Sequence, residues 1–144
     1  LVYPEHAQKH KMVHNDSHKF ESNFVTLEIP KNHSVMFGSL SGTKLGVWVA
    51  HGEGKFQFPY EESAYHIVAK YNYEGYPANP NGSPWSVAGV CSQDGRHLAM
   101  MPHPERAMFP WQCGYYPADR QADEVTPWIE GFVNARKWIE EHKQ

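Results

Sequence analysis

Gln93-Asp94-Gly95-Arg96-His97-Leu98-Ala99-Met100-Met101-Pro102-His103-Pro104-Glu105-Arg106 is the stretch on which the reading of this chain turns. Asp-Gly between two apolar runs is a hairpin signal, because glycine accepts the backbone of a tight turn without steric cost. It makes residues 85–91 and 97–101 antiparallel neighbours in a sheet. The second strand then stops at His103, where a proline on each side stiffens the backbone. Open α/β sheets place their chemistry at the carboxyl ends of strands. Glu105, two residues on, can fix the tautomer of His103 and stabilise its imidazolium. The pair is a base and its orienter, and the stretch contains no nucleophile. The plain alternative is a half-buried histidine held by a neighbouring carboxylate.

Working outward, Phe24-Val25-Thr26-Leu27-Glu28-Ile29 alternates apolar and polar up to Pro30, as a strand with one solvated face does. Leu45-Gly46-Val47-Trp48-Val49-Ala50 is nearly all apolar, which predicts a central strand buried on both faces. Residues 64–73 alternate again, so about five strands are expected, in a sheet with both parallel and antiparallel neighbours. Near the end of the chain, Thr126 as cap, Pro127 at the first helical position and Trp128, Phe132, Ala135 and Ile139 on one face predict a helix packed on the sheet. Residues 79–84 and 110–117 are loops by composition, and there is no internal repeat. The first 22 residues are polar and histidine-rich, and read as an irregular opening or a short helix followed by a turn.

With 144 residues and 40% hydrophobic side chains, the chain can build the core of one ordinary domain. A net charge of −3 without a basic run offers no electrostatic footprint for nucleic acid or an anionic membrane, so neither is an expected partner. No run approaches the roughly 20 apolar residues that span a bilayer, and no signal-peptide pattern opens the chain. The expected compartment is the cytoplasm. Cys91 and Cys113 lack Cys-x-x-Cys spacing and suit reduced thiols in that compartment.

Four stretches, taken together and in order, carry a family resemblance. They are His14-Asn15-Asp16-Ser17-His18-Lys19-Phe20-Glu21-Ser22, the Val-Trp-Val-Ala-His-Gly-Glu-Gly-Lys-Phe run at 47–56, the Asn-Pro-Asn-Gly-Ser-Pro-Trp-containing run at 76–96, and Met-Pro-His-Pro-Glu-Arg at 101–106. They resemble the C-terminal part of the glutaminase domain of the phosphoribosylformylglycinamidine synthase family, whose glutaminase is a class I, triad-type glutamine amidotransferase. The likeness runs from about residue 4 to residue 111. It implies an α/β fold: the C-terminal portion of a flavodoxin-like, three-layer amidotransferase domain, with a mixed sheet and a C-terminal helix. Residues 1–144 would then be a partial domain lacking the N-terminal half with its cysteine elbow. The chain starts at Leu1 without an initiator methionine, and reads as a piece of a longer polypeptide that is inactive alone.

The same resemblance implies glutamine hydrolysis to glutamate and ammonia. The ammonia would pass to a synthetase domain of the same polypeptide, where ATP, with magnesium, activates the amide of formylglycinamide ribonucleotide in purine synthesis. Glutamine and the rest of the synthase are the implied partners. No cofactor is expected in this chain, which has no sequence resembling a nucleotide-binding loop.

By that resemblance, His103 takes the proton of the absent cysteine thiol and later protonates the departing ammonia, Glu105 orients its ring, and Arg106 is a structural partner. His51, Gly52 and Glu53 resemble the strand-end segment that holds the α-carboxylate of glutamine through backbone groups. The alternative is a strand-to-loop turn with a solvated glutamate. Gly89-Val90-Cys91-Ser92-Gln93 resembles a nucleophile elbow only superficially, because Cys91 runs into a hairpin where an elbow needs a helix N-terminus. Cys113 reads as an ordinary loop thiol. His6, His10, His14 and His18 repeat at i+4 and would line one face of a helix, yet Pro4 and Asn15-Asp16-Ser17 oppose such a helix and no metal is expected. Lys19 stands where the family often has arginine, and residues 110–120 do not align. The competing class is a non-catalytic docking module that keeps His103 and Glu105 as structural residues, with unpaired strand edges that favour association.

Overall fold

A computed structural model describes residues 2–6 and 11–143. In chain order the strands are β1 (Lys11–Val13), β2 (Glu21–Glu28), β3 (Lys44–His51), β4 (Lys55–Gln57), β5 (His66–Tyr71), β6 (Val87–Cys91) and β7 (Leu98–Met100), followed by helix α1 (Ile129–Glu141). Five of them form a sheet in the order β3-β2-β5-β6-β7, while β1 and β4 make a separate two-stranded ribbon.

The strands expected from alternation are all present, and β2 and β3 pair from Glu21 opposite His51 to Glu28 opposite Lys44. Their period of two sends Val25, Leu27, Val47 and Val49 into the core. Phe24 and Trp48 face the other way and meet edge to face at 5.0 Å. The hairpin read from Asp94-Gly95 joins β6 to β7, with Cys91 opposite Leu98 and Gly95 at a φ of 71°.

Two expectations are corrected. The sheet is not mixed: every strand pair among the described residues is antiparallel. The connections from β2 to β3 and from β5 to β6 are as long as a parallel crossover, so length alone could not reveal the direction of return. Nor is the strand at 45–50 central, since β3 stands at one end of the sheet order. Its outer face is apolar because residues 107–128 fold over it. The indole of Trp48 donates to the Gln112 carbonyl at 2.7 Å, and that of Trp128 donates to the Gly46 carbonyl at 2.9 Å.

The exposed side of β3 is also partly occupied. Beyond β7 the chain bends until His103 forms an antiparallel bridge with Trp48, its amide donating to the Trp48 carbonyl at 2.9 Å. The sheet thus curls until its two ends touch.

One core cluster lies inside this curl and runs through Val25, Leu27, Ile29, Phe37, Val47, Val49, Val68 and Trp128. A second cluster of Tyr3, Phe56, Tyr65, Val87 and Val90 fixes the ribbon to the sheet. Tyr3 secures it further, donating to the Cys91 carbonyl at 2.7 Å and accepting from the His66 amide.

The C-terminal helix is present but starts later and turns differently than expected. Thr126 does not cap it: its hydroxyl donates to the Ala107 carbonyl at 2.5 Å, and its amide bonds to Met108. The helix buries Trp128 and Gly131, whereas Phe132 and Ile139 of the expected stripe are exposed. Among the described residues α1 is the one α-helix, so the helical layers of a three-layer domain are represented here by α1 alone. No helix among them is long and apolar enough to cross a membrane.

Candidate active site

His103 leaves the sheet immediately before a single 3-10 turn, Pro104–Arg106. Its backbone is held by the bridge to Trp48, and the turn brings Glu105 back beneath its ring. His103 Nδ1 lies 2.7 Å from Glu105 Oε1. A carboxylate can only accept, so Nδ1 carries the proton and Nε2 is the basic nitrogen. The ring is about a quarter exposed, with 27% of its side chain accessible, so it is fixed yet reachable. Arg106 Nε sits 3.9 Å from the same carboxylate oxygen, which places it behind the pair. Alongside runs a groove of about 430 Å3 between β3 and the 109–113 loop, walled by Ser22, Trp48, Ala50, Arg106 and Trp111.

The His51-Gly52-Glu53-Gly54 turn ends β3 and is held by a residue that sequence reasoning quoted but gave no role. Asn15 is fully buried, and nearly all of its polar atoms are spent on this turn. Its Nδ2 donates to the carbonyls of His51 (2.8 Å) and Lys19 (2.9 Å), and its amide donates to the Gly52 carbonyl. Its Oδ1 accepts from the Gly54 amide at 3.0 Å. Gly54 has to be glycine: an added Cβ would sit 2.5 Å from His51 Nδ1. Glu53 is exposed and lies 3.5 Å from His14.

The His51 side chain is buried among polar neighbours. Asn81 Oδ1 accepts from the Ser83 amide and hydroxyl, which turns its Nδ2 toward the Tyr71 hydroxyl (3.0 Å) and His51 Nε2 (3.5 Å). His51 Nε2 is therefore an acceptor and Nδ1 bears the proton. Burial holds the imidazole pKa below its ordinary value, against smaller opposing pulls from a backbone hydrogen bond and from Glu21, while nearby His103 adds the least, in the lowering direction. The His-Asn pair at 14–15 and the Asn-Pro-Asn-Gly-Ser run at 79–83 mark the residues of this network in the sequence but not the partners they find.

Neither cysteine is set up to attack. Cys91 is fully buried in β6, and burial, followed by the nearby Asp94, pushes its thiol pKa up. Cys113 lies in a loop with Sγ 3.6 Å from the Phe109 carbonyl, and burial raises its pKa too. Both conditions suppress the thiolate. The i+4 histidine row is not a helix: Lys11–Val13 is a strand, His14 and His18 lie in the turn after it, and His10 is outside the described residues. Among the described residues no three His, Cys, Asp or Glu side chains gather in a way that could hold a metal ion.

An α/β domain with a histidine-carboxylate pair at its strand end defines a class, and comparison with known proteins agrees. Residues 2–139 match the CobB/CobQ-like glutamine amidotransferase domain family, and the chain belongs to that family. Within it, the chain is 43% identical over 144 residues to a probable phosphoribosylformylglycinamidine synthase, chloroplastic/mitochondrial, from Arabidopsis thaliana. It is 42% identical to the phosphoribosylformylglycinamidine synthases of Drosophila melanogaster and Homo sapiens. These alignments cover 90%, 92% and 87% of this chain, but it spans only about a tenth of the length of each relative. A chain in the structure of PurLQS from Thermotoga maritima superposes with a TM-score of 0.67 at 25% identity, covering 91% of this chain and 53% of that one.

Proposed function

We propose that this chain supplies the base side of a glutaminase that delivers ammonia within a phosphoribosylformylglycinamidine synthase. The 2.7 Å contact between His103 Nδ1 and Glu105 is the observation that carries the reading. His103 Nε2 takes the proton of a cysteine thiol from outside this chain as the sulfur attacks the amide carbon of glutamine. The imidazolium, stabilised by Glu105, then passes that proton to the departing nitrogen, and ammonia leaves. Water attacks the resulting thioester while His103 accepts its proton, and the proton returns to sulfur as glutamate is released. Backbone groups of the turn at 51–54 hold the α-carboxylate of the substrate. ATP and magnesium belong to the synthetase part of such a polypeptide, outside this chain. The cytoplasm is the proposed compartment, and an organelle is the alternative suggested by the name of the Arabidopsis relative.

Glutamate release from glutamine tests this, measured for the chain alone and with the nucleophile-bearing part of a relative's amidotransferase domain added in trans. The chain alone is expected to be silent. The mixture is expected to turn over and to lose about a hundredfold or more in His103→Ala. Turnover by the chain alone that Cys91→Ala abolishes, or turnover in the mixture that ignores His103→Ala, would overturn the proposal.

A further inference from the structure

A second cavity, of about 420 Å3, lies on the outer face of β2 and β3, toward the end of the strand pair opposite to His51. The period of two that sends Val25, Leu27 and Val47 into the core turns Phe24, Thr26, Lys44 and Gly46 toward this cavity, where they form its floor. Its roof comes from residues 113–120 and is tied down. Asp123 accepts from the Tyr116 hydroxyl at 3.0 Å and from Arg120 Nε at 3.0 Å. Phe24 is a fixed wall, because its ring lies between two bare backbones: an added Cβ would stand 2.5 Å from it at Gly46 and 3.0 Å from its nearest atoms at Gly114. Phe24 lines this cavity and Trp48 lines the groove beside His103, so their edge-to-face pair partitions the two spaces.

The chemistry of the lining is one-sided. Phe24, Tyr115, Tyr116 and Trp128 supply rings, and no Asp or Glu side chain among the described residues lines the space. Of its two cations, Arg120 is neutralised by Asp123 at 2.9 Å. Lys44 makes no ion pair among the described residues, not even with Glu28, which stands opposite it across the strand pair. Lys44 is exposed at the rim, so its ammonium is free to reach over an occupant. Cavities of this size, apolar with a few placed polar groups, suit small organic molecules. Ring-lined walls favour a flat aromatic guest, and one uncompensated ammonium favours a single negative charge on it. We infer that this cavity binds a small planar aromatic compound carrying one negative charge, at a site distinct from that of the proposed glutamine chemistry.

The test is a 1H-15N NMR titration of the full chain with indole-3-acetate and, separately, with tryptamine, which carries the same ring with the opposite charge. The reporters are the amides of Gly46 and Gly114 and the Trp128 indole N–H, which donates to the Gly46 carbonyl. Indole-3-acetate is expected to shift them saturably, and tryptamine to bind about tenfold or more weakly. Lys44→Met is expected to bring the two ligands within about threefold of each other. Comparing the two ligands on the unaltered chain decides the matter even where Lys44→Met disturbs the fold. Equal binding of the two, full discrimination in a folded Lys44→Met, shifts confined to the exposed Trp111, or no response to either ligand would overturn the site and leave the glutaminase reading standing.

Discussion

Asn15 shows how much one amide can hold. It ties the carbonyls of Lys19, His51 and Gly52 and the amide of Gly54 into one turn, and it is fully buried. Asn15→Ala is expected to lower stability by about 3 kcal/mol, since several buried groups lose their partners at once. Asn15→Asp should do worse, because it aims carboxylate oxygen at two carbonyls. Urea unfolding followed by circular dichroism measures both. His51 gives the neighbouring residue-scale expectation. Its folded-state pKa lies below the ordinary value of about 6.5, so as pH falls the unfolded chain takes up this proton first. Its contribution is whole above that pH and is lost progressively below it. The urea midpoint should therefore drop between about pH 7 and pH 5, and drop less steeply in His51→Gln. At this scale the sequence was legible where a residue acts alone on its neighbour, as His103 and Glu105 do. It was not legible at Asn15 or Asn81, whose partners at His51, Gly54 and Tyr71 lie far along the chain and are brought together only by the fold.

Elements show the same division. The strands announced themselves by alternation, but which edges they share did not, because a long apolar run looks alike in a central strand and in an end strand roofed by a loop. The start of α1 illustrates the competition. Thr126 and Pro127 form a sound cap by local rules, yet the hydroxyl finds a tertiary acceptor at Ala107 and the helix begins at Ile129. That bond joins the helix to the turn just after Glu105. Trp128 anchors the junction, packed edge to face on Phe37 at 5.5 Å. Trp128→Ala is expected to cost about 4 kcal/mol by thermal or urea unfolding. Gly131→Ala pits two terms against each other. Alanine favours the helix by about 1 kcal/mol, but its Cβ would stand 2.6 Å from the Phe37 ring. Crowding of that kind costs about 1–3 kcal/mol, so the variant should be less stable than the parent chain.

Viewed whole, the molecule keeps large apolar side chains outside. Phe20, Trp111 and Tyr115 are each more than two-thirds exposed, and Phe109 stacks parallel to Trp111 at 6.0 Å. Phe132, Val133 and Ile139 add a second apolar face on α1. Surfaces of this kind favour association in water. Sedimentation analysis should show a mass that rises with concentration, reduced by Trp111→Glu, whereas a monomer at every concentration would count against self-association.

The touching ends of the sheet bear on the candidate site at long range. His103 grows out of β7 yet is fastened to β3, so its position is a gauge of the curvature accumulated across all five strands. A distant shim would move the needle. An alanine at Gly89, for instance, would press its methyl to within 2.9 Å of the Met100 Cβ and pry β7 away from β6. His103 would then be displaced by a substitution that touches neither it nor Glu105.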